Sequence, residues 1–359
     1  MKQDSGIKGL AGGLKGRRIP LNWVIIAIAL IVLIIIPFAL ESEPAHVHIF
    51  VMIFMMGYLA TAWGLVGQSG QLSFGHAAFF GIGAYTSSVL YMDVGVSPWI
   101  GVFLGVVFAS IAGLIIGFPT LRLRGPYFAL ATLAFCAIMQ IWVKNTPYLG
   151  PLHVGAAWGI TISPYATGMG PAFFQFASKT SFYFIALAML VGAVYFSYQL
   201  SRTRMGYYWT AIRGDQDAAE SVGINAGKYR LTAFVMSCAL SAVAGTFYAQ
   251  YYYFITPGRV LDISLSLEIA LIGVVGGWQS IFGPMLGAFI LVPISELVRA
   301  EFSSIAAGLH LVIYGVIFVL IILFMPKGVN EPIMRGLKWL ETKYWRPSQN
   351  ANSDKLGRQ

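Results

Sequence analysis

Ser201 to Arg230 reads SRTRMGYYWTAIRGDQDAAESVGINAGKYR, a polar island between an apolar run at about 182–199 and another at about 231–254. It carries Arg202, Arg204, Arg213, Lys228 and Arg230 with Asp215, Asp217 and Glu220, in a chain of which only 10% is charged. Thirty residues are too few for a domain with its own core, yet the island is too patterned for a tether. Asp217-Ala218-Ala219-Glu220 has the spacing of a helix N-terminal capping box, and Gly223 suits the stop. The stretch predicts a short helix at a membrane surface, offered to a soluble partner. The competing reading is a solvated loop that only keeps positive charge on the cytoplasmic side.

Across the chain, 57% of the 359 residues are apolar and the mean hydropathy is +0.73. Long runs without charge make the fold class an all-α integral membrane protein, a polytopic helical bundle. Apolar runs place crossings at about 23–40, 49–66, 77–91, 98–118, 127–143, 182–199, 231–254, 265–277, 281–298 and 305–325. That is about ten, within a range of eight to ten, because the short runs 77–91 and 265–277 suit broken or re-entrant segments. The first run follows Lys15, Arg17 and Arg18 but lacks a small-residue cleavage site, so it reads as an uncleaved helix. Glycine, 40 of 359, suits helices packed through small residues, and Gly101/Gly105, Gly113/Gly117 and Gly283/Gly287 have the spacing for it. Cys136 and Cys238 fall inside spans and suggest no disulfide or metal site.

Lys and Arg set the orientation. The tail 1–22, the turn 119–125 with Arg122 and Arg124, the island 201–230 and the tail 327–359 hold 19 of the 23 basic residues. All fall on one side if both termini are cytoplasmic, leaving Glu41, Glu43, Asp93, Asp262 and a periplasmic loop at 144–181 on the other. The transmembrane body then spans 23–326. Basic residues dispersed among spans are a topology signal, and nucleic-acid binding is excluded.

The second informative stretch runs GLVGQSGQLSFGHAAFFGIGAY from Gly64 to Tyr85. Gly64, Gly67, Gly70 and Gly75, interleaved with Gln68, Ser69, Gln71 and Ser73, break a helix. Freed backbone groups cost several kcal/mol each in hydrocarbon, so the break must line protein or water. A related stretch, Gly276-Gly277-Trp-Gln279-Ser280-Ile-Phe-Gly283, recurs late in the chain. Paired Gly-interrupted segments point to a pathway built at discontinuous helices. Gln68, Gln71, Ser73 and His76, with Glu268, Gln279 and Ser280, are the candidate pathway residues, because polar groups are costly within spans. Glu268 is placed with Ser264 and Ser266 on one helical face. The bland alternatives are that the polar groups merely satisfy broken backbone, that Glu268 pairs structurally, and that the glycines serve packing alone.

Five segments, GQSGQLSFGHAAFFGIGAY, PTLRLRGPYFALATLAF (119–135), AIRGDQDAAESVGINAGKYRLTAFVMSCALSAVAGTFYA (211–249), IALIGVVGGWQSIFGPMLGA (269–288) and MPKGV (325–329), follow in one order. In that order they resemble the branched-chain amino acid ABC transporter permeases of the LivM type, over about residues 23–335. The resemblance implies a permease subunit of an ATP-driven importer in the bacterial inner membrane. Its partners would be a second homologous permease, two cytoplasmic ATPase subunits and a periplasmic binding protein. ATP and Mg would sit on the ATPases, with no cofactor on this chain. Ala211 to Asn225 resembles the family's ATPase-coupling helix. Arg213, Asp215, Asp217 and Glu220 are then its candidate charge pairs, Ala218, Ala219 and Val222 its apolar contact, and Gly223 its stop. Family members commonly carry a Thr-Gly-Gly-x-x-Gly-type element in the external loop, where this chain has Thr146-Pro-Tyr-Leu-Gly-Pro-Leu-His-Val-Gly-Ala-Ala-Trp158. That departure leaves urea, amides or other amino acids open as the solute.

No chemistry of another kind competes. Gly223 to Tyr229 is one residue short of a P-loop and ends in Tyr where Mg²⁺ needs Ser or Thr. His46, His48, His76, His153 and His310 are scattered without metal-ligand spacing, and His46 with His48 reads as an external turn. A stand-alone secondary transporter or channel would need coupled ionisable pairs within spans, which only Glu268 and His76 approach. An embedded enzyme would need a nucleophile and base that are missing.

Overall fold

A computed structural model describes residues 21–39, 44–120, 126–163, 174–176, 178–302 and scattered positions from 312 to 329. The turn holding Arg122 and Arg124, His310, most of the 305–325 run and nearly all of both tails lie outside the described residues. The chain divides into two compact units. Of the first, Met1–Ala39 with Met334–Gln359, the described part is helix α1 (Leu21–Ala39), whose apolar side chains from Ile28 to Phe38 are largely exposed. The second unit is Leu40–Ile333.

Its centre is α2 (Pro44–Gln68), apolar on all sides and therefore a core helix. Buried along its length, α2 packs against α6 (Lys179–Ser201), α9 (Ala226–Tyr252), α11 (Ile263–Gly276) and α12 (Gly283–Phe302). Beside α9 lie α3 (His76–Val94) and α4 (Pro98–Thr120), with α5 (Pro126–Lys144) outside them. Five of these helices, α2, α4, α5, α6 and α9, are long and apolar enough to cross a membrane. The chain is an all-helical membrane protein, and its strands among the described residues are two-residue pieces.

Helix α4 shows how the sequence builds the seams. Its buried residues are Pro98 and then Gly101, Gly105, Ala109, Gly113 and Gly117, the last five a single stripe at four-residue spacing, while Phe103, Val107, Ile111 and Ile115 are exposed. The stripe meets Ser87 and Gly83 of α3 and Cys238, Leu231 and Phe234 of α9, so small residues let the backbones approach. Gly245 of α9 goes further, since a Cβ there would collide with the Phe80 carbonyl.

At one end, β1 (Tyr148–Leu149) pairs with β2 (Leu152–His153), and β3 (Ile160–Thr161) pairs with β4 (Phe254–Ile255), both antiparallel. The Asp93 carboxylate accepts from the His153 backbone N–H at 2.6 Å, tying this end of α3 to the hairpin. Short α10 (Pro257–Val260) leads from here to α11. His46 and His48 sit in α2, not in a turn; His48 stacks on Tyr251, with Nδ1 2.6 Å from the Tyr251 hydroxyl. The polar island lies at the other end of α9.

Candidate functional site

The island folds as two helices rather than one. After α6, α7 (Arg204–Gly214) buries Gly206, Trp209 and Ile212, and the Trp209 Nε1–H donates to the Tyr229 carbonyl at 2.9 Å. The chain then turns at Asp215, whose extended backbone ends α7 and starts α8 (Gln216–Ser221). The expected capping box at Asp217 and Glu220 is not formed. Asp215 is the cap, its Oδ1 accepting from the Ala218 N–H at 3.0 Å, while Glu220 Oε1 accepts from Gln216 Nε2 at 2.9 Å. Asp217 instead sits in the first turn, where a negative charge favours the helix dipole.

Gly223, with φ +87°, closes the helix in a Schellman arrangement: its N–H bonds the Glu220 carbonyl at 3.0 Å and the Ile224 N–H bonds the Ala219 carbonyl at 3.1 Å. Asn225 then caps α9, accepting from the Lys228 N–H at 2.9 Å. Ala219 is buried against Ile212 and Ala226, so it belongs to the knob's own core and is not available to a partner. Asp217, Ala218, Glu220 and Val222 remain outward, Val222 at 76% exposure, above a shallow depression lined by Glu220, Gly223, Ile224, Asn225 and Ala226.

The first break lies directly beneath. α2 stops at Gln68, Gly70 takes φ +84°, and the chain doubles back along α2 before α3 begins at His76. Protein groups satisfy the freed backbone, as the cost of leaving it bare requires. Trp63 Nε1–H donates to the Ser73 carbonyl at 2.8 Å, Phe74 N–H to Thr132 Oγ1 at 3.0 Å and Ala77 N–H to Ser266 Oγ at 2.8 Å. Gln68, Ser69, Gln71, Ser73 and His76 are all buried, and Gln68 Nε2 donates to Ser197 Oγ at 3.4 Å. His76 Nε2 lies 2.6 Å from Ser237 Oγ, whose one hydrogen is donated to the Ala62 carbonyl at 2.7 Å. Nε2 therefore carries the proton of that pair and Nδ1 is an acceptor. Among the described residues, His76 Nδ1 and Gln71 Oε1 have no hydrogen-bond partner.

The second break adjoins the first. α11 ends at Gly276, Gly277 takes φ +99°, and Ser280 N–H bonds the Gly277 carbonyl at 2.9 Å before α12 starts. A Cβ on Gly276 would strike the Gly283 carbonyl. Ideal Cβ atoms on Gly64, Gly67 and Gly70 would come within 3.1 Å of Pro284, Trp278 and the Arg213 Cα respectively. The Arg213 guanidinium lies 5.8 Å from the Trp278 ring centroid, half-buried, and burial lowers its pKa. Val329 N–H bonds the Val275 carbonyl at 2.9 Å, and Gly328 packs on Gly277, so the end of the MPKGV segment docks on this break. Both breaks and the knob thus meet at one end of the bundle.

The sequence pattern of the branched-chain amino acid transport system permease component matches residues 45–322. The chain belongs to that permease family. It is 29% identical over 352 residues to the high-affinity branched-chain amino acid transport system permease protein LivM of Escherichia coli K12, covering 92% of this chain and 79% of the relative. The Salmonella typhimurium LivM protein is 28% identical with the same coverage. The nucleoside ABC transporter permease protein NupC of Lactococcus lactis is 23% identical over 194 residues, 51% of this chain and 60% of the relative. No solved structure matches.

In this permease the remaining predicted residues scatter. Gln279 is exposed and Ser280 half-buried in the second break. Glu268 does not share a face with Ser266: two positions along a helix turn about 200°, and Ser266 is buried on the Ala77 N–H while Glu268 is half-exposed. Ser264 instead donates to Asp262. Among the described residues no group of three metal-ligating side chains occurs. Two residues that pattern reading passed over are central. Trp278 fills the space left by Gly67, and Arg230, buried at 8% exposure, donates from Nη1 to Gln216 Oε1 at 2.7 Å and from Nε to the Ser69 carbonyl at 3.4 Å. A charged residue four places inside an apolar helix was the available signal.

Proposed function

We propose that this chain is the membrane-spanning permease subunit of an ATP-binding-cassette importer, forming the pathway for branched-chain amino acids or a related small polar solute. The two LivM proteins, named for branched-chain amino acid transport, align over 92% of the chain, against about half for the relative named for nucleosides, which supports the first solute class. It would sit in the bacterial inner membrane with about ten crossings and both termini cytoplasmic. A second homologous permease, two cytoplasmic ATPases carrying ATP and Mg, and a periplasmic binding protein would complete the importer. No cofactor is assigned to this chain. Gln68, Gln71, Ser73, His76, Glu268, Gln279 and Ser280 are its proposed pathway residues.

One observation carries the coupling role: α8 is a six-residue helix closed at both ends, seated on its own apolar underside and presenting Glu220 and Val222 outward. Such a rigid knob can be pushed as a unit by a partner that closes around it. The test is Glu220→Lys with Val222→Asp in a chain co-expressed with its ATPase. Both side chains are exposed, so expression and thermal unfolding should not change, while ATPase co-purification and solute-stimulated hydrolysis should fall. Unaltered co-purification and hydrolysis would remove the docking role.

A further inference from the structure

A pushed knob does nothing for transport unless its displacement reaches the chain that lines the bundle. α8 is joined to α9 through Gly223 and to α7 through the bend at Asp215. A further tie crosses directly from α8 to the break. Gln216, the first residue of α8, accepts a 2.7 Å hydrogen bond from Arg230 Nη1, and the Nε of the same guanidinium donates to the carbonyl of Ser69, inside the first break. The guanidinium is planar and its donors keep fixed directions, so one side chain holds the knob and the break in one geometry. Arg230 is buried, where charge-assisted hydrogen bonds are strong and water competes poorly.

A second contact runs parallel. Arg213, one residue before the end of α7, packs beside Gly70 and over Trp278, which in turn fills the space beside Gly67. The first break is therefore gripped from both sides of the bend at Asp215, and the second break moves with it through Trp278.

We infer that Arg230 is a positioning residue that links α8 to the Gly64–Gly75 break, delivering movement of the docking knob to that segment. This rests on the reading of α8 as the ATPase-docking element. The role requires that Gln216 and Arg230 act as a pair, since either alone leaves the link open.

The assay uses the assembled transporter in lipid nanodiscs with Leu72→Cys as reporter. Leu72 lies in the break at 41% exposure, whereas the native Cys136 and Cys238 are buried. Maleimide labelling of Leu72→Cys is timed without nucleotide and in the ATP–vanadate-trapped state. In the parent the two rates should differ by about fivefold or more, the low end of an ordinary coupling between sites. Adding Gln216→Ala, or Arg230→Gln, should shrink the difference, leaving only what the Arg213 contact carries, while the ATPase still co-purifies and still traps vanadate. Arg230→Lys keeps the charge without the fork and should fall between. The double variant Gln216→Ala/Arg230→Gln should be no worse than either single one. Persistence of the full difference in Gln216→Ala and Arg230→Gln, with the ATPase bound, would overturn the linkage alone. A parent without any difference between states would also overturn it. Absence of ATPase from the purified parent would bring down the docking reading and the linkage together.

Discussion

Asp215→Ala isolates the physics of the knob. α8 has six residues, far below the length at which a helix holds in water by itself. Its order depends on the Asp215 cap, the Gly223 turn and the small apolar contact of Ala219 with Ile212 and Ala226. Losing an N-cap acceptor costs about 0.5–2 kcal/mol. If α8 opens locally, that cost multiplies the open population by about 2- to 30-fold, since roughly 1.4 kcal/mol is a factor of ten. Millisecond hydrogen exchange on the full chain in nanodiscs should show this acceleration at the amides of Ala218 to Ser221. Exchange in the buried part of α9 from Ser237 to Gly245 should not change. Asp215→Asn keeps a side-chain oxygen at the cap and should exchange like the parent. Equal exchange for the alanine and asparagine variants would refute the capping argument, and acceleration spread into α9 would show that α8 is not a separate unit.

Two further outcomes follow from the geometry. Gly276→Ala drives a Cβ into the Gly283 carbonyl, a backbone atom with no rotamer to yield, so the unfolding temperature and yield should drop. Gly192→Ala, where the structure leaves open space, should be neutral or stabilising by up to about 1 kcal/mol. For sidedness, Trp158→Cys at 89% exposure should react with a membrane-impermeant maleimide on intact cells, and Gly214→Cys only after the membrane is opened. The reverse pattern would put the knob outside the cell and end the docking proposal.

Hydropathy is a local signal, and it located most helices well: the runs at 98–118 and 127–143 became Pro98–Thr120 and Pro126–Lys144. The island was harder. The capping pattern marks only one short helix there, although Met205, Trp209 and Ile212 recur at the helical spacing of α7 and pack toward α9. The cap was assigned to Asp217 rather than Asp215 because two acids two residues apart satisfy the same rule. Which one caps is decided by where α7 ends, and that depends on Trp209 and Ile212 being buried. Ser264 is four positions from Glu268 and Ser266 only two, so the one helical face expected for all three holds by rotation for Ser264 alone.

What no local pattern could supply is the adjacency of the two breaks. Glycine there is usually taken as a hinge, but the contacts argue otherwise. Gly64, Gly67 and Gly70 each leave room for one atom group, Pro284, Trp278 and Arg213, drawn in turn from α12, the second break and the knob. A Cβ at any of the three would sit 3.1 Å from its neighbour, which would have to give way slightly, and at Gly70 the +84° φ adds strain. Small residues at these positions therefore serve close contact more than flexibility, and they join two breaks and a knob that sequence places up to about 200 residues apart. Through Arg213 and Trp278, α7 is thus packed against both breaks at once, with interior-like close contact and little empty space between the parts.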